Sequence, residues 1–122
     1  MDFNAAIRLN PQHVEALHTL GRLYLGLGDF ERAISLFDSV IRLVPRADSY
    51  YNRGTSYRSL GRLTDATADY SQAIRLNPLF VEAYGNRGET SMSLGLFEQA
   101  ITDFDEAIRM NPSGTLASIL FT

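Results

Sequence analysis

Apolar and polar residues alternate along this chain with the spacing of amphipathic helices. In one set of segments apolar residues recur every three or four positions, as at Leu17, Leu20 and Tyr24. This spacing places side chains on one stripe of a helix. A second set carries small and aromatic residues in the same way, as at Ala33 and Phe37, and the two sets alternate along the chain. The pattern predicts an all-α protein.

Glycines and prolines mark where these segments end. Gly28, Gly61 and Gly95 each follow a segment of the first set, and glycine readily adopts the left-handed conformation that ends a helix. A proline follows each segment of the second set, where it stops the helix and opens the next unit. The sequence therefore predicts antiparallel pairs, each with a first and a second helix.

One six-residue phrase, Ala-Ile-Arg-Leu-Asn-Pro or a close variant, occurs four times. Its prolines, Pro11, Pro45, Pro78 and Pro112, are separated by 34, 33 and 34 residues. A fixed period of this length is typical of stacked units that share one continuous core. We divide the 122 residues into a partial repeat (1–11), a first repeat (12–45), a second repeat (46–78), a third repeat (79–112) and a partial helix or tail (113–122).

These positions resemble the tetratricopeptide repeat. The match in the first repeat rests on Leu17, Leu20, Gly21, Tyr24, Ala33, Phe37 and Pro45. It returns in the second and third repeats at Tyr50, Gly54, Tyr57, Ala66, Tyr70 and Pro78, and at Tyr84, Gly88, Ala100, Phe104 and Pro112. Ser91 departs from the pattern because Tyr24 and Tyr57 stand at its place in the earlier repeats. The resemblance implies an α-solenoid of antiparallel helix pairs, wound as a right-handed superhelix, that binds other proteins and is not an enzyme.

Composition excludes several kinds of chemistry. The chain has no cysteine and no lysine, so it has neither a zinc–cysteine site nor a Schiff-base or P-loop lysine. His13 and His18 are five residues apart, a spacing that points them in different directions from a helix. No serine, histidine and acid form an arrangement that the repeat fails to explain. We expect no metal, no cofactor and no catalytic residue.

Charge and hydropathy limit the partners. The net charge is −3 and no basic run is present, so the electrostatic drive for binding nucleic acid is missing. No apolar stretch approaches the roughly 18 residues of a membrane helix, and the first residues lack the basic start of a signal peptide. We expect a soluble chain with no membrane partner and favour the cytoplasm over export.

Two columns of the repeat change together. The second and third repeats have an arginine in the first helix and an aspartate sixteen residues later, and the first repeat has leucine at both places. We therefore predict ion pairs that join the two helices of a pair, Arg53 with Asp69 and Arg87 with Asp103. Such a pair need not be more stable than two leucines, because desolvation offsets the attraction.

The resemblance places the partner-binding site on the concave face, which the first helices line in tetratricopeptide proteins. The candidate binding residues are His18, Thr19, Arg22, Tyr51, Asn52, Thr55, Arg58, Glu82, Asn86, Glu89 and Met92. Asn52 and Asn86 share a column in which family members use asparagine to hold a peptide backbone, since a carboxamide offers both donor and acceptor. The alternative is that both are solvated surface residues.

The partner is expected to be a protein or peptide that is neutral or basic. Glu15, Asp48 and Glu82 form an acidic column at the starts of the first helices, which either favours such a peptide or stabilises the helix dipoles. The family's clamp for the acidic tails of heat-shock chaperones would fall on His18, Arg22, Asn52, Glu82 and Asn86, of which Asn52 alone matches. We therefore expect those tails not to bind.

The two ends of the sequence correspond to incomplete repeats with apolar residues, Phe3 and Ile7 at the start and Leu116, Ile119, Leu120 and Phe121 at the end. Terminal repeats of a solenoid usually present a polar outer face. Two interpretations stay open. The chain is a fragment of a longer repeat protein, or it is a structural solenoid that forms homo-oligomers through these residues.

Overall fold

The computed structural model describes residues 11–113, which form six α-helices in three antiparallel pairs. The first helices are α1 (Pro11–Leu27), α3 (Ala47–Ser59) and α5 (Val81–Ser93), and the second helices are α2 (Phe30–Leu43), α4 (Leu63–Leu76) and α6 (Phe97–Met110). Each helix packs most closely on its own partner, and α2 and α4 also pack on the first helix that follows. The predicted all-α stack of helix pairs is confirmed.

Each pair closes through the predicted glycine turn. Gly28, Gly61 and Gly95 have φ angles of 82°, 79° and 78°, in the left-handed region that residues with a β-carbon rarely adopt. The backbone amide after each glycine donates to a carbonyl of the preceding first helix, as Asp29 does to Tyr24 at 2.9 Å. This bond occupies a carbonyl that the end of the helix leaves without a helical partner.

The second helices end two residues before a proline, and the residue between is no longer helical. Val44, Asn77 and Asn111 leave the helical conformation with φ angles of −142°, −139° and −145°. Contact with the proline ring disfavours the helical conformation at the preceding residue. The prolines of the repeated phrase therefore set the length of each second helix.

The core lies between the helices of each pair and continues from one pair to the next. The second helices contribute most of it, with fully buried side chains at Phe37 and Tyr70. Glycines of the first helices lie against these rings, and a β-carbon added at Gly21 would lie 2.8 Å from the nearest atom of Phe37. Glycine is thus required because the helix backbone and the ring come so close.

Leu20 departs from the predicted apolar column, because it is 41% exposed. Its counterparts Arg53 and Arg87 each contact the second helix of the preceding pair, through Asp38 of α2 and Ser71 of α4. Among residues 11–113, no second helix precedes α1. Within that part of the chain, Leu20 therefore has no counterpart of the second helix that contacts Arg53 and Arg87.

Both predicted ion pairs are confirmed. Arg53 donates to the two carboxylate oxygens of Asp69 at 2.8 and 2.7 Å, and Arg87 donates to those of Asp103 at the same distances. These hydrogen bonds raise the pKa of each arginine. The two-bond geometry fixes the orientation of both side chains, so each bridge sets how its first and second helices face each other.

Candidate functional site

The first helices contact one another directly, α1 with α3 and α3 with α5. The candidate binding residues therefore lie on neighbouring helices, and we call the surface that they form the first-helix face. It has two joints, one between α1 and α3 and one between α3 and α5. The two joints are built from different side chains.

A hydrogen-bonded network joins α3 to α5. The Asn86 amide nitrogen donates to the Tyr51 hydroxyl at 2.6 Å, and the Asn86 carbonyl oxygen accepts from Arg58 at 3.0 Å. Arg58 also pairs with Glu89 at 3.0 Å. Four of the candidate binding residues thus come together in one cluster. The cluster holds the two helices in a fixed relation before any partner binds.

Tyr51 anchors this network through its ring. The ring lies 4.8 Å from that of Phe80 and 5.7 Å from that of Tyr70, measured between centroids. Burial raises the pKa of the Tyr51 hydroxyl, so the hydroxyl keeps its proton at neutral pH. It can accept from Asn86 and still donate a hydrogen bond to a ligand.

The two asparagines of the shared column have different surroundings. Both polar atoms of the Asn86 side chain are occupied, as described above. Asn52 is half-buried, and the hydrogen bond found for it within residues 11–113 uses its backbone carbonyl, which accepts from the Ser56 hydroxyl at 2.9 Å. Within the described residues, the Asn52 carboxamide thus makes none of the hydrogen bonds that occupy the carboxamide of Asn86.

His18 belongs to the joint between α1 and α3 and is only 5% exposed. Its Nδ1 lies 3.1 Å from the Ser49 hydroxyl, its Nε2 lies 3.6 Å from Asp48, and its ring packs on Phe37 at 5.6 Å. Burial lowers the pKa of His18, and this outweighs the opposing effect of Asp48. The neutral ring thus packs between helices, a position that the sequence did not reveal.

Arg46, which the sequence analysis did not single out, pairs with two of the three acids of the acidic column. It stands at the residue before α3 and contacts Glu15 of α1 and Asp48 of α3, the latter at 2.8 Å. The residue before α5 is Phe80, so the repeat gives no signal for this arginine. The single charge of Arg46 thus offsets one of the two negative charges of Glu15 and Asp48.

The other candidate residues are more exposed or lie outside the described part of the chain. Thr19, Arg22, Glu82 and Met92 are exposed, and the Thr55 hydroxyl is hydrogen-bonded to that of Tyr70 at 3.0 Å. The residues proposed for self-association all fall outside residues 11–113, namely Phe3, Ile7, Leu116, Ile119, Leu120 and Phe121. Within those residues the structure contains neither a cluster of three or more metal-ligating side chains nor a helix suited to span a bilayer.

The family assignment follows from a match over almost the whole sequence. The family model described as Tetratricopeptide repeat matches residues 2–50, 18–78 and 51–115. The chain belongs to the tetratricopeptide repeat family. Tetratricopeptide domains are generally protein–protein interaction modules and are typically non-catalytic, which agrees with the fold and the face described above.

The relatives of this tetratricopeptide chain include co-chaperones and a receptor. The co-chaperone DNJ1 of Cryptococcus neoformans, which contains tetratricopeptide repeats and a J domain, is 35% identical over 74 residues, covering 60% of this chain and 14% of that protein. The peroxisomal targeting signal receptor of Saccharomyces cerevisiae is 35% identical over 65 residues, covering 52% of this chain and 11% of the receptor. The chain therefore spans a small part of either relative.

Several solved structures superpose well on this fold. MamA has a TM-score of 0.80 at 27% identity, covering 88% of this chain and 64% of that chain. The first tetratricopeptide domain of Spaghetti (RPAP3), bound to the HSP90 peptide SRMEEVD, has a TM-score of 0.81 at 25% identity. The match covers 84% of this chain and 82% of that chain. The OM64 domain of Arabidopsis, at 23% identity and a TM-score of 0.83, shares the fold.

Proposed function

We propose that this tetratricopeptide chain is a non-enzymatic scaffold that binds an extended peptide segment, or such a segment of a partner protein, along the first-helix face. The observation that carries the proposal is the network of Tyr51, Asn86, Arg58 and Glu89, which fixes α3 against α5. A face whose side chains are already held in place loses less entropy when a ligand binds. Asn52 lies beside this network with its carboxamide available for a peptide backbone.

The charge of the face supports a neutral or basic peptide. Arg46 is shared by Glu15 and Asp48, which leaves one net negative charge there, and Arg58 compensates Glu89. Glu82 is exposed and adds negative charge near Tyr51. A peptide without negative charge therefore avoids repulsion from Glu82 and need not displace an existing ion pair.

The expected exclusion of acidic chaperone tails is not supported by the comparisons. The tetratricopeptide domain of Spaghetti, at 25% identity, holds a peptide that ends in EEVD. On the first-helix face Arg22 is exposed, and Arg46 and Arg58 lie in its two joints. An acidic peptide that replaced the internal carboxylates could use these cations, so acidic peptides belong in the binding test.

The test measures fluorescence anisotropy with three pools of labelled peptides of equal length, one neutral, one containing arginine and one containing glutamate. We expect the neutral and arginine pools to bind more tightly than the glutamate pool. We expect Asn52→Ala to weaken binding about tenfold, or about 1.4 kcal/mol, because it removes a donor and an acceptor. Gln72→Ala is the matched control, since this amide of α4 accepts from Arg75 on the second-helix side.

Tighter binding of the glutamate pool would overturn the preference for neutral or basic peptides. Equal effects of Asn52→Ala and Gln72→Ala would overturn the location of the site. The absence of binding by any pool would contradict peptide binding and favour the alternative function, a structural solenoid that associates with itself. Exposed Leu23 and Leu27 on α1 and Phe97 and Ile101 on α6 favour that alternative, and sedimentation velocity of the free protein would detect it.

A further inference from the structure

A cavity of about 300 Å³ lies where the third repeat packs on the second helix of the second repeat, and none of the residues that line it is a candidate binding residue of the first-helix face. It opens between α4, α5 and α6, and the residues that line it have polar side chains, although most of the surface they present to it is carbon. α4 contributes Thr67 and Ser71, α5 contributes Arg87 and Ser91, and α6 contributes Thr102 and Asp103. This volume is at the lower end of the roughly 300–1,000 Å³ of cavities that hold small molecules. We call it the Ser91 cavity.

The second repeat shows what the Ser91 cavity lacks on one side. Tyr57 stands at the position of Ser91, and its ring lies beside two arginines, with its centroid 5.8 Å from the guanidinium carbon of Arg53 and 4.6 Å from that of Arg62. Ser91 is 1% exposed, but its short side chain cannot replace an aromatic ring. Arg87 keeps the ring of Tyr84 at 5.7 Å, as Arg53 keeps that of Tyr50 at 5.5 Å, but it lacks the counterpart of the second ring, that of Tyr57.

The guanidinium of Arg87 also lacks the second carboxylate that Arg53 has. Arg53 donates its remaining amino group to Asp38 at 2.8 Å, in addition to its two bonds with Asp69. In the third repeat Arg87 donates the equivalent group to the Ser71 hydroxyl at 3.1 Å. Ser71 is neutral, so Arg87 faces one carboxylate where Arg53 faces two.

We propose that the Ser91 cavity binds a small aromatic carboxylate of about the size of benzoate. Its ring takes the place that the Tyr57 ring fills in the second repeat, beside the guanidinium of Arg87, where cation–π attraction favours it. Its carboxylate faces Arg87 as Asp38 faces Arg53 and accepts from the Arg87 guanidinium, because charge-assisted bonds to arginine are strong. The site is independent of peptide binding on the first-helix face.

The first experiment titrates the whole chain with benzoate and follows backbone amide shifts by NMR. A ligand of this size is expected to bind with a dissociation constant on the order of 0.1–1 mM. The largest shifts should map to Ser71, Arg87 and Ser91. Acetate supplies the carboxylate alone and benzyl alcohol supplies the ring without the charge, so each should bind at least about tenfold more weakly.

The second experiment closes the cavity with the protein's own groups. Ser91→Tyr supplies the ring and Ser71→Asp supplies the carboxylate, and each should weaken benzoate binding more than about tenfold. Ser91→Tyr should also raise the unfolding midpoint because it fills empty volume. Ser35→Tyr, at an exposed position of α2, is the matched control and should leave benzoate binding unchanged.

Three results would overturn the proposal. Equal binding of benzyl alcohol and benzoate would show that no carboxylate is recognised. Amide shifts that spare the cavity would place the ligand elsewhere. Unchanged benzoate binding in either Ser91→Tyr or Ser71→Asp would exclude the cavity, and because the two substitutions alter different helices, failure of one variant to fold leaves the other to decide.

Discussion

The second and third repeats share a backbone and an ion pair but differ in what surrounds the ion pair. In the second repeat the guanidinium of Arg53 is enclosed by two carboxylates and by tyrosine rings. In the third repeat Arg87 has one carboxylate, a hydroxyl, the single ring of Tyr84 and the Ser91 cavity. The helices and the Arg–Asp ion pair thus recur in both repeats. The residues around the ion pair differ, so each repeat can have contacts or a cavity that the other lacks.

We expect the largest effect on stability when the buried aspartate of each ion pair is replaced. Asp103→Ala should reduce the free energy of unfolding by about 3–5 kcal/mol, because Arg87 would stay partly buried without a carboxylate. Asp69→Ala should cost only about 1.5–3 kcal/mol, because Arg53 keeps its charged hydrogen bond to Asp38. Urea unfolding of both variants measures the two losses.

The control for these variants copies the first repeat, which has leucines at both positions. Arg87→Leu combined with Asp103→Leu should lie within about 1.5 kcal/mol of the parent, since leucines of similar volume can replace a buried ion pair. Equal losses in Asp69→Ala and Asp103→Ala would show that Asp38 does not support Arg53. The difference between the two repeats would then have no energetic consequence.

A smaller effect is expected where glycine meets an aromatic ring. An added β-carbon would lie 3.1 Å from the buried Tyr70 ring at Gly54 and 3.0 Å from the less buried Phe104 ring at Gly88. Overpacking should cost about 1–3 kcal/mol at either site, with the larger loss in Gly54→Ala because Tyr70 has less room to move. Thermal unfolding of both variants gives the comparison.

Gly85→Ala is the control for these glycines. It lies in α5 near Gly88, and an added β-carbon there would meet nothing within 4 Å. The substitution should stabilise the protein by about 0.5–1 kcal/mol, because alanine favours helix over glycine. If Gly88→Ala were equally stabilising, close packing of the third repeat would not require a glycine.

The smallest expected effect concerns His18 in the first repeat. His18 occupies the position that Tyr51 has in the second repeat and Gly85 has in the third. Burial places the pKa of folded His18 below its unfolded value, which is about 6.5. The unfolded chain therefore binds the proton more tightly. The contribution of His18 to the free energy of unfolding is therefore fully present above about pH 6.5. It is lost as the pH falls towards the pKa of His18 in the folded protein.

Unfolding free energies measured by urea between pH 7.5 and 5 would show this loss. Carboxylates also titrate at the lower end of this range, so the quantity to compare is the difference between the parent and His18→Gln. That difference should shrink as the pH falls. A difference that grows towards pH 5 would mean that the folded protein favours protonated His18 and that Asp48 outweighs burial.

The helix pairs and both bridges could be predicted because the sequence contains several copies of one unit. Helix ends follow from local chemistry at Gly61 or Pro78, which acts within a few residues. The Arg53–Asp69 pair is a contact between distant residues, yet the joint replacement by leucine in the first repeat exposed it. Repetition therefore supplied information on tertiary contacts that a single unit would not contain.

The side-chain network of the first-helix face could not be predicted in the same way. Asn52 and Asn86 occupy one column, but only Asn86 is hydrogen-bonded to Tyr51 and Arg58. These bonds depend on how far apart α3 and α5 lie and on which rotamers their neighbours adopt. Arg46 precedes α3 at a place where the next repeat has phenylalanine, so no recurring pattern marks its role.

The sequence identified Ser91 as a departure but could not give the size of the space beside it. Loss of a tyrosine ring leaves a cavity only if the surrounding residues do not move in to fill it. Here the neighbours include Thr67 and Ser71, which are short and polar. Whether such residues close a gap depends on the positions of three helices, which local spacing does not determine.

The nearly identical turn angles at Gly28, Gly61 and Gly95 bear on how the length of such a chain can change during evolution. A duplication or deletion between equivalent points of two turns, 33 or 34 residues apart, keeps a glycine at every left-handed position. A change of any other length would place a residue with a β-carbon in that conformation and shift the second helix that follows. Inheritance should therefore favour gains and losses of whole repeats.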